Sequence, residues 1–173
     1  MPKVLVLFDE ADQDAAMCGE SAAEGARGVR FTEVDVRVAA VAGTGESRQK
    51  VLESPTSIDS YDAVVIATGK DSMTSATKSV VDALSRLPSQ HFTNTVFGAA
   101  RSDGGELAGQ LAGLGGIAVA QDGANGDPGA AARDLGARVA KLAGWVRHSL
   151  SHEEADGEHG HDHDRHHHHH HAN

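Results

Sequence analysis

The sequence predicts one α/β domain built on a five-stranded parallel sheet, and two observations support this fold class. Short apolar runs alternate with longer segments of helical periodicity, in the order β-α-β-(loop)-β-α-β-α-β-α. Runs such as residues 4–8 and 63–67 are continuously apolar, which is typical of strands buried on both faces of a parallel sheet. Such alternation places helices on both faces of the sheet, joined by right-handed crossovers.

The five strands are predicted at residues 4–8, 31–38, 63–67, 95–100 and 117–120. The second differs from the others, because valines alternate with charged residues from Glu33 to Val38. This alternation indicates a half-buried strand at an edge of the sheet. Residues 43–60 are polar and weakly patterned, and we interpret them as a loop with one helical turn near residues 48–52.

Capping residues set the limits of four predicted helices. The first begins at Asp12 or Asp14 and ends at Arg27 before Gly28, and the second begins after Ser72 or Thr74. The second helix ends at residue 87, the third covers residues 106–114, and the last begins at an Asp-Pro pair at residues 127–128 and runs to about residue 150. Its predicted buried stripe is Ala131, Leu135, Val139, Leu142, Val146 and Leu150.

Composition limits the function classes. The 173 residues suffice for one domain at residues 1–150, followed by a tail at residues 151–173. A net charge of −10 and an aromatic content of 3% argue against binding to nucleic acid or to an anionic membrane. With no signal peptide and a single cysteine, Cys18, the chain is expected in the cytoplasm. Cys18 lies on an apolar helical stripe, so we expect it to be buried.

Three segments carry a resemblance to a known family. They are residues 3–8 leading to 23–26, residues 61–68, and residues 132–143. In this order they resemble the flavodoxin-like NAD(P)H:quinone oxidoreductases of the tryptophan-repressor-binding-protein type, over about residues 1–145 with a shortened middle. The resemblance implies a flavodoxin-like three-layer sandwich of strand order 2-1-3-4-5, bound FMN, quinone reduction by NAD(P)H, and a homo-oligomer.

Candidate cofactor contacts lie in three loops, because ligands of such sheets bind at the carboxyl ends of the strands. These loops are residues 9–14, 68–74 and 101–106. The resemblance places the cofactor contacts at Glu10, Asp12, Gln13, Asp14, Ala15, Thr68, Gly69, Lys70, Ser102, Asp103, Gly104 and Gly105.

The first loop departs from the family pattern. The family holds the FMN phosphate with a loop containing Ser and Gly that opens the first helix, whereas residues 9–15 hold four carboxylates and no Gly, Ser or Thr. These acids either cap the helix or form an acidic pocket for a cation or an amine. The loop after Thr68 lacks the aromatic residues of the family, although residues 102–105 resemble its Gly-rich turn. We therefore expect weak or absent FMN binding.

The tail is rich in histidine and acidic residues, and its composition predicts disorder. Imidazoles beside carboxylates are good ligands for Zn²⁺, Ni²⁺ or Cu²⁺. The predicted metal ligands are His152, His159, His161, His163, His166, His168 and His170. The run of six histidines is either a purification tag or part of a native metal-binding tail.

These features support two functional hypotheses. The protein is an accessory module that has lost tight FMN binding and carries a metal-binding tail, or it is an active FMN-dependent quinone reductase with unusual flavin contacts. No Ser/His/Asp constellation supports a hydrolase, and we expect His91 to be a surface residue. Trp145 either covers the end of the core or serves an interface.

Overall fold

A computed structural model of the chain describes residues 1–39, 55–70, 73–101, 106–122 and 126–157. Five parallel strands form one sheet in the order β2-β1-β3-β4-β5. The strands are β1 Lys3–Phe8, β2 Glu33–Val38, β3 Ala63–Thr68, β4 Val96–Arg101 and β5 Ile117–Ala120. Both the five-stranded parallel sheet and its strand order are therefore confirmed.

Helices cover both faces of the sheet. Helices α1 (Gln13–Arg27) and α4 (Pro128–Gly157) pack on one face, and α2 (Ser75–Ser85) and α3 (Glu106–Ala112) pack on the other. Two 3₁₀ turns, Pro55–Ser60 and Ser89–Phe92, precede β3 and β4. The core is split accordingly into two clusters, because alternate strand residues point to opposite faces.

Two helices end earlier than their patterns predicted. Helix α2 begins after the Thr74 cap, one of the two predicted starts, and ends at Ser85 rather than at Leu87. Its last turn tightens, since Leu87 N donates to Leu84 O at 3.1 Å, a three-residue step. Helix α3 ends at Ala112 rather than at Leu114 for the same reason.

Helix α4 is longer than predicted and ends at Gly157. The prediction of disorder from residue 151 onward is therefore wrong for residues 151–157. Between Trp145 and Asp156 no Gly or Pro interrupts the chain, and each added residue of a helix gains one backbone hydrogen bond. Residues 158–173 lie outside the described residues.

The buried stripe of α4 is also rotated from the predicted one. Leu135 and Val139 are buried as expected, but Ala131, Leu142, Val146 and Leu150 are only half-buried. The buried positions instead include four small residues: Ala132, Gly136, Ala140 and Ala143. Trp145 is 69% exposed, so the prediction that it covers the end of the core is wrong.

Helices α1 and α4 contact each other through backbone. A Cβ atom added at Gly25 would lie 1.8 Å from Arg133 O, and one added at Gly136 would lie 1.9 Å from Ala22 O. Neither position has room for a methyl group. Cys18 lies within the cluster between these helices and the sheet, which confirms its predicted burial. Among the described helices, none combines the length and apolar character that a membrane span requires.

Candidate functional site

The candidate site lies at the carboxyl edge of the sheet, where strand order reverses. Strand β1 is hydrogen-bonded to both β2 and β3, so the chain leaves β1 toward one side and returns on the other. A crevice opens outside the carboxyl ends of the strands at such a switch point. The loops predicted from sequence all come directly after β1, β3 and β4 at this edge.

Three buried polar side chains end the three central strands. Asp9, Thr68 and Arg101 are only 9%, 2% and 9% exposed. Phe8 pairs with Ala67, and Thr68 pairs with Arg101, so the three residues stand at one level across the sheet. Burying a polar group costs free energy unless the group is paired. The clustering of three such groups therefore makes this edge the candidate binding site.

Arg101 was missed as a site residue, because the sequence placed it at the start of a loop. The structure makes it the last residue of β4. The available signal was a charged residue directly after a buried apolar run, since arginine is seldom buried without a partner.

Asp9 and Asp12 order the loop between β1 and α1. The Asp9 carboxylate accepts a hydrogen bond from Ala11 N at 3.0 Å, and Asp12 N donates to Asp9 O at 3.2 Å. This is an Asx turn, in which an aspartate side chain takes over backbone donors. The loop is therefore closed by its own carboxylate.

Asp12 is the N-cap of α1. Its Oδ1 accepts hydrogen bonds from Asp14 N at 3.1 Å and from Ala15 N at 3.2 Å, and its backbone is extended. These amides belong to the first turn, whose N–H groups have no partner within the helix. Of the two interpretations of the acidic loop, capping of the helix is the one that these contacts support.

The same carboxylate lies against the loop after β3. A Cβ atom added at the buried Gly69 would lie 2.5 Å from Asp12 Oδ2. The structure thus brings together two predicted site residues that are far apart in the sequence. The Asp12 carboxylate fills the space between the first turn of α1 and the β3 loop.

The other predicted contacts differ in their exposure. Glu10, Gln13, Asp14 and Lys70 are exposed, and Ala15 is buried in the core. The Thr68 hydroxyl is buried and has no hydrogen-bond partner among the described residues. Ser102, Asp103, Gly104 and Gly105 lie outside the described residues.

Negative charge dominates this end of the molecule. Burial, together with the smaller effects of the Asp14, Asp12 and Asp127 carboxylates, raises the pKa of the Cys18 thiol to about 11. Asp127 begins α4 much as Asp12 begins α1, since its Oδ1 accepts from Gly129 N at 3.0 Å. The first turns of both helices are therefore capped by carboxylates of the protein itself.

Comparison with known proteins identifies the fold. No protein-family model and no curated protein matches the sequence. Among solved structures, a flavodoxin from Streptococcus pneumonia TIGR4 superposes with a TM-score of 0.56 at 10% identity, covering 80% of this chain and 97% of the flavodoxin. A flavodoxin from the domain Archaea gives 0.56 at 12% identity, covering 82% and 99%.

The chain has a flavodoxin-like fold. A diflavin flavoprotein A3 from Nostoc sp. superposes with a TM-score of 0.55 at 17% identity, covering 87% of this chain and 97% of the other. The flavodiiron protein from Giardia intestinalis gives 0.57 at 14% identity, over 85% of this chain but 37% of the larger protein. The flavodoxin-like domain therefore occurs in these proteins both alone and within a larger chain.

The loop of this flavodoxin-like domain does not fit a flavin phosphate at the first turn of α1. A phosphate there would need the amides that Asp12 already holds. At about 4–6 Å it would also meet repulsion on the order of 1 kcal/mol or more from each carboxylate of the loop. The first-turn amides of Asp14 and Ala15 are thus already occupied by the Asp12 carboxylate.

Of the seven predicted metal ligands, one lies on α4 and six follow its last residue in the sequence. His152 is exposed on this helix, and its Nε2 lies 3.1 Å from His148 Nε2. The other six, His159, His161, His163, His166, His168 and His170, lie outside the described residues. Within the described ranges, no group of three or more His, Cys, Asp or Glu side chains converges on a metal site.

A cleft of about 220 Å³ lies at the opposite, amino edge of the sheet. His91 is exposed there, as predicted, and its Nε2 contacts Asp59 Oδ1. Asp62 accepts hydrogen bonds from Lys3 N at 2.8 Å and from Arg147 at 3.0 Å. These contacts tie α4 and β1 to the start of β3.

Proposed function

We propose that the protein is a flavodoxin-fold accessory module, related to the FMN-dependent NAD(P)H:quinone oxidoreductases, that has lost tight FMN binding and acts by interaction with a protein partner. The observation that supports this proposal is the Asp12 carboxylate, which caps α1 and lies against Gly69. A side chain of this protein thereby takes the place and the charge of a bound phosphate.

Phosphate binding at α1 would exchange one anion for another. For a phosphate to bind at α1, the Asp12 carboxylate must leave two backbone amides and remain nearby as a like charge. Loss of an N-cap costs about 1 kcal/mol, and the repulsion adds about as much again for each close carboxylate. For the Asp12 carboxylate alone these terms sum to about 2 kcal/mol and weaken phosphate binding by a factor of about 30, since 1.4 kcal/mol is about tenfold.

One observation favours the alternative, an active FMN-dependent quinone reductase that holds the flavin by other contacts. The Thr68 hydroxyl is 2% exposed and lacks a hydrogen-bond partner among the described residues. A buried hydroxyl without a partner is costly, and a ligand group at the carboxyl edge of β3 would satisfy it.

Titration of the purified protein with FMN, followed by quenching of flavin fluorescence, separates the two functions. We expect no binding at millimolar FMN, which would exclude the reductase. Binding at micromolar FMN or tighter would exclude the accessory module.

Two matched variants test the role of Asp12. Asp12→Ser keeps a capping oxygen but removes the charge, and we expect it to quench flavin fluorescence at FMN concentrations where the natural chain shows no binding. Asp14→Ser removes an exposed carboxylate of the same turn and should have a smaller effect. Equal effects of the two variants would show that the capping carboxylate does not block the site.

We further propose that the histidine-rich segment binds divalent metal ions as part of this function. The support is its composition, nine histidines within residues 158–173 interleaved with acids, and the preference of Zn²⁺, Ni²⁺ and Cu²⁺ for imidazole. A full-length variant with these nine histidines replaced by Asn should lose most of its metal uptake in equilibrium dialysis. Unchanged uptake would contradict the assignment.

A further inference from the structure

Two histidines on the exposed face of α4 hold their imidazole Nε2 atoms within hydrogen-bonding distance of each other. His148 and His152 are four residues apart, which places them on neighbouring turns of one helix face. Their Nε2 atoms are 3.1 Å apart, whereas their ring centroids are 4.4 Å apart. The rings therefore converge toward each other at Nε2.

The separation of the two nitrogens matches a shared metal ion. Two imidazole nitrogens bound at about 2.0–2.1 Å and separated by 3.1 Å subtend an angle of about 100° at the ion. This angle lies between the octahedral and the tetrahedral values, so it suits ions that adopt either geometry.

The surroundings of the pair also suit a cation. Both side chains are exposed, so water can complete the coordination shell, and the chain carries a net charge of −10. The helix holds the two imidazoles in place, so less freedom is lost on binding than in a flexible histidine tract. The backbone around the pair is further tied by Ser151 Oγ, which donates to His148 O at 2.7 Å.

We propose that His148 and His152 form a bidentate site for a divalent transition-metal ion such as Cu²⁺, Ni²⁺ or Zn²⁺ on the folded domain. The proposal extends the metal-binding part of the proposed function, and it assigns to the helix a site that does not need residues 158–173. Binding there links two successive turns near the end of α4 and stabilises that end of the helix.

The test uses the full-length variant with the nine histidines of residues 158–173 replaced by Asn, and Cu²⁺ alone as the probe. Cu²⁺ binds imidazole most tightly among these ions, and its EPR spectrum reports nitrogen ligands. We expect one equivalent of Cu²⁺ with two nitrogens in its spectrum. His148→Asn or His152→Asn in this background should each weaken binding at least tenfold.

A swap of neighbouring residues provides the matched control. His152→Glu combined with Glu153→His keeps the composition but puts the two histidines five residues apart, about 140° around the helix. Cu²⁺ binding should fall as it does for the single variants, whereas His91→Asn should leave it unchanged. Circular dichroism verifies that each variant is folded.

Two results would overturn the proposal. One is no stoichiometric Cu²⁺ binding by the variant that lacks the nine histidines of residues 158–173, and the other is Cu²⁺ binding that persists after the swap of residues 152 and 153. If the natural chain binds metal but the variant lacking the nine histidines of residues 158–173 does not, metal binding by that segment is supported and the helical site is refuted. If both bind with equal stoichiometry, the helical site stands and the role of residues 158–173 fails.

Discussion

The Asp12 side chain joins two loops that are more than fifty residues apart in the sequence. One of its oxygens caps α1, and the carboxylate as a whole lies against the backbone of Gly69. Glycine is therefore required at position 69 because the Asp12 carboxylate approaches its backbone closely, and not because of its backbone angles. The contact couples the start of a helix to the end of the neighbouring strand.

Substitution of Gly69 tests this contact. Gly69→Ala should lower the free energy of unfolding by about 1–3 kcal/mol, because its methyl group would overlap the Asp12 carboxylate. Urea denaturation measures the change, and Lys70→Ala at the exposed next position should shift it by less than about 0.5 kcal/mol. In the Asp12→Ser background the cost of Gly69→Ala should shrink, and full additivity would argue against the contact.

Cys18 provides a pH-dependent prediction. Burial, followed by the charges of Asp14, Asp12 and Asp127, raises its pKa from 9.0 to about 11 in the folded protein. The neutral thiol therefore contributes stability that is fully present below about pH 9 and is lost as the pH rises toward about 11. Relative to Cys18→Ala, the natural protein should lose free energy of unfolding across this window, and a constant difference would contradict the prediction.

The thiol should also be slow to react in the native state. A disulfide reagent attacks the thiolate, and both burial and the raised pKa suppress that form. At about pH 8 we expect labelling to become fast only when guanidinium unfolds the protein. Rapid labelling of the native protein would place the thiol at the surface.

At the scale of elements, the packing of α1 on α4 is set by glycine and alanine. Gly25 and Gly136 each face a backbone carbonyl of the opposite helix, so the two helix backbones touch. Residues this small let the helices approach closely and bury backbone against backbone. The low aromatic content of the chain is compatible with this kind of core.

Glycine-to-alanine substitutions distinguish this crossing from an open helix surface. Gly136→Ala should destabilise the protein by about 2 kcal/mol or more, because the added methyl group has no room. Gly109→Ala in α3, where a Cβ meets nothing within 4 Å, should stabilise by about 0.5–1 kcal/mol. Thermal unfolding followed by circular dichroism measures both, and equal effects would contradict the close crossing.

At the scale of the whole molecule, Trp145 reports on assembly. It is the single tryptophan of the chain and is 69% exposed on α4. The homo-oligomer implied by the sequence resemblance stays a prediction, as does the role of Trp145 in an interface. An exposed tryptophan in a domain of this size is a natural probe of whether another chain covers it.

Intrinsic fluorescence measures directly whether Trp145 is exposed to solvent or covered by another chain. The isolated domain should emit at the red-shifted wavelength of a solvated indole, and acrylamide should quench it almost as well as in the unfolded chain. Trp145→Ala should change the free energy of unfolding by less than about 0.5 kcal/mol. A blue-shifted, protected emission that reddens on dilution would instead show that a second copy covers this residue.

Much of the fold was predictable because its signals are local. Continuous apolar runs placed the strands within one or two residues, and the alternation in β2 identified an edge strand. Helix ends were less accurate at α2, α3 and α4, since the last turn depends on weak backbone bonds and on the residues beyond it. The stripe of α4 was rotated because periodicity alone does not show which small residues meet a neighbouring helix.

The candidate site was predictable in location but not in contacts. The switch-point rule identified the loops after β1, β3 and β4. The four carboxylates of residues 9–15 indicated a loop unsuited to phosphate binding. The sequence could not show that Asp12 meets Gly69, nor that Arg101 is buried in β4 beside Thr68. The contact between His148 and His152 was also not predicted, because the helix was expected to end between these two residues.

Local pattern and chemical type are enough to predict the strand and helix order, the absence of phosphate-binding residue types in the first loop, and the burial of Cys18. They do not predict which of those residues come into contact. Asp12 contacts Gly69, and α1 touches α4 through Gly25 and Gly136, only because the sheet brings distant segments together. Contacts of this kind arise from packing in three dimensions, which a one-dimensional pattern does not contain.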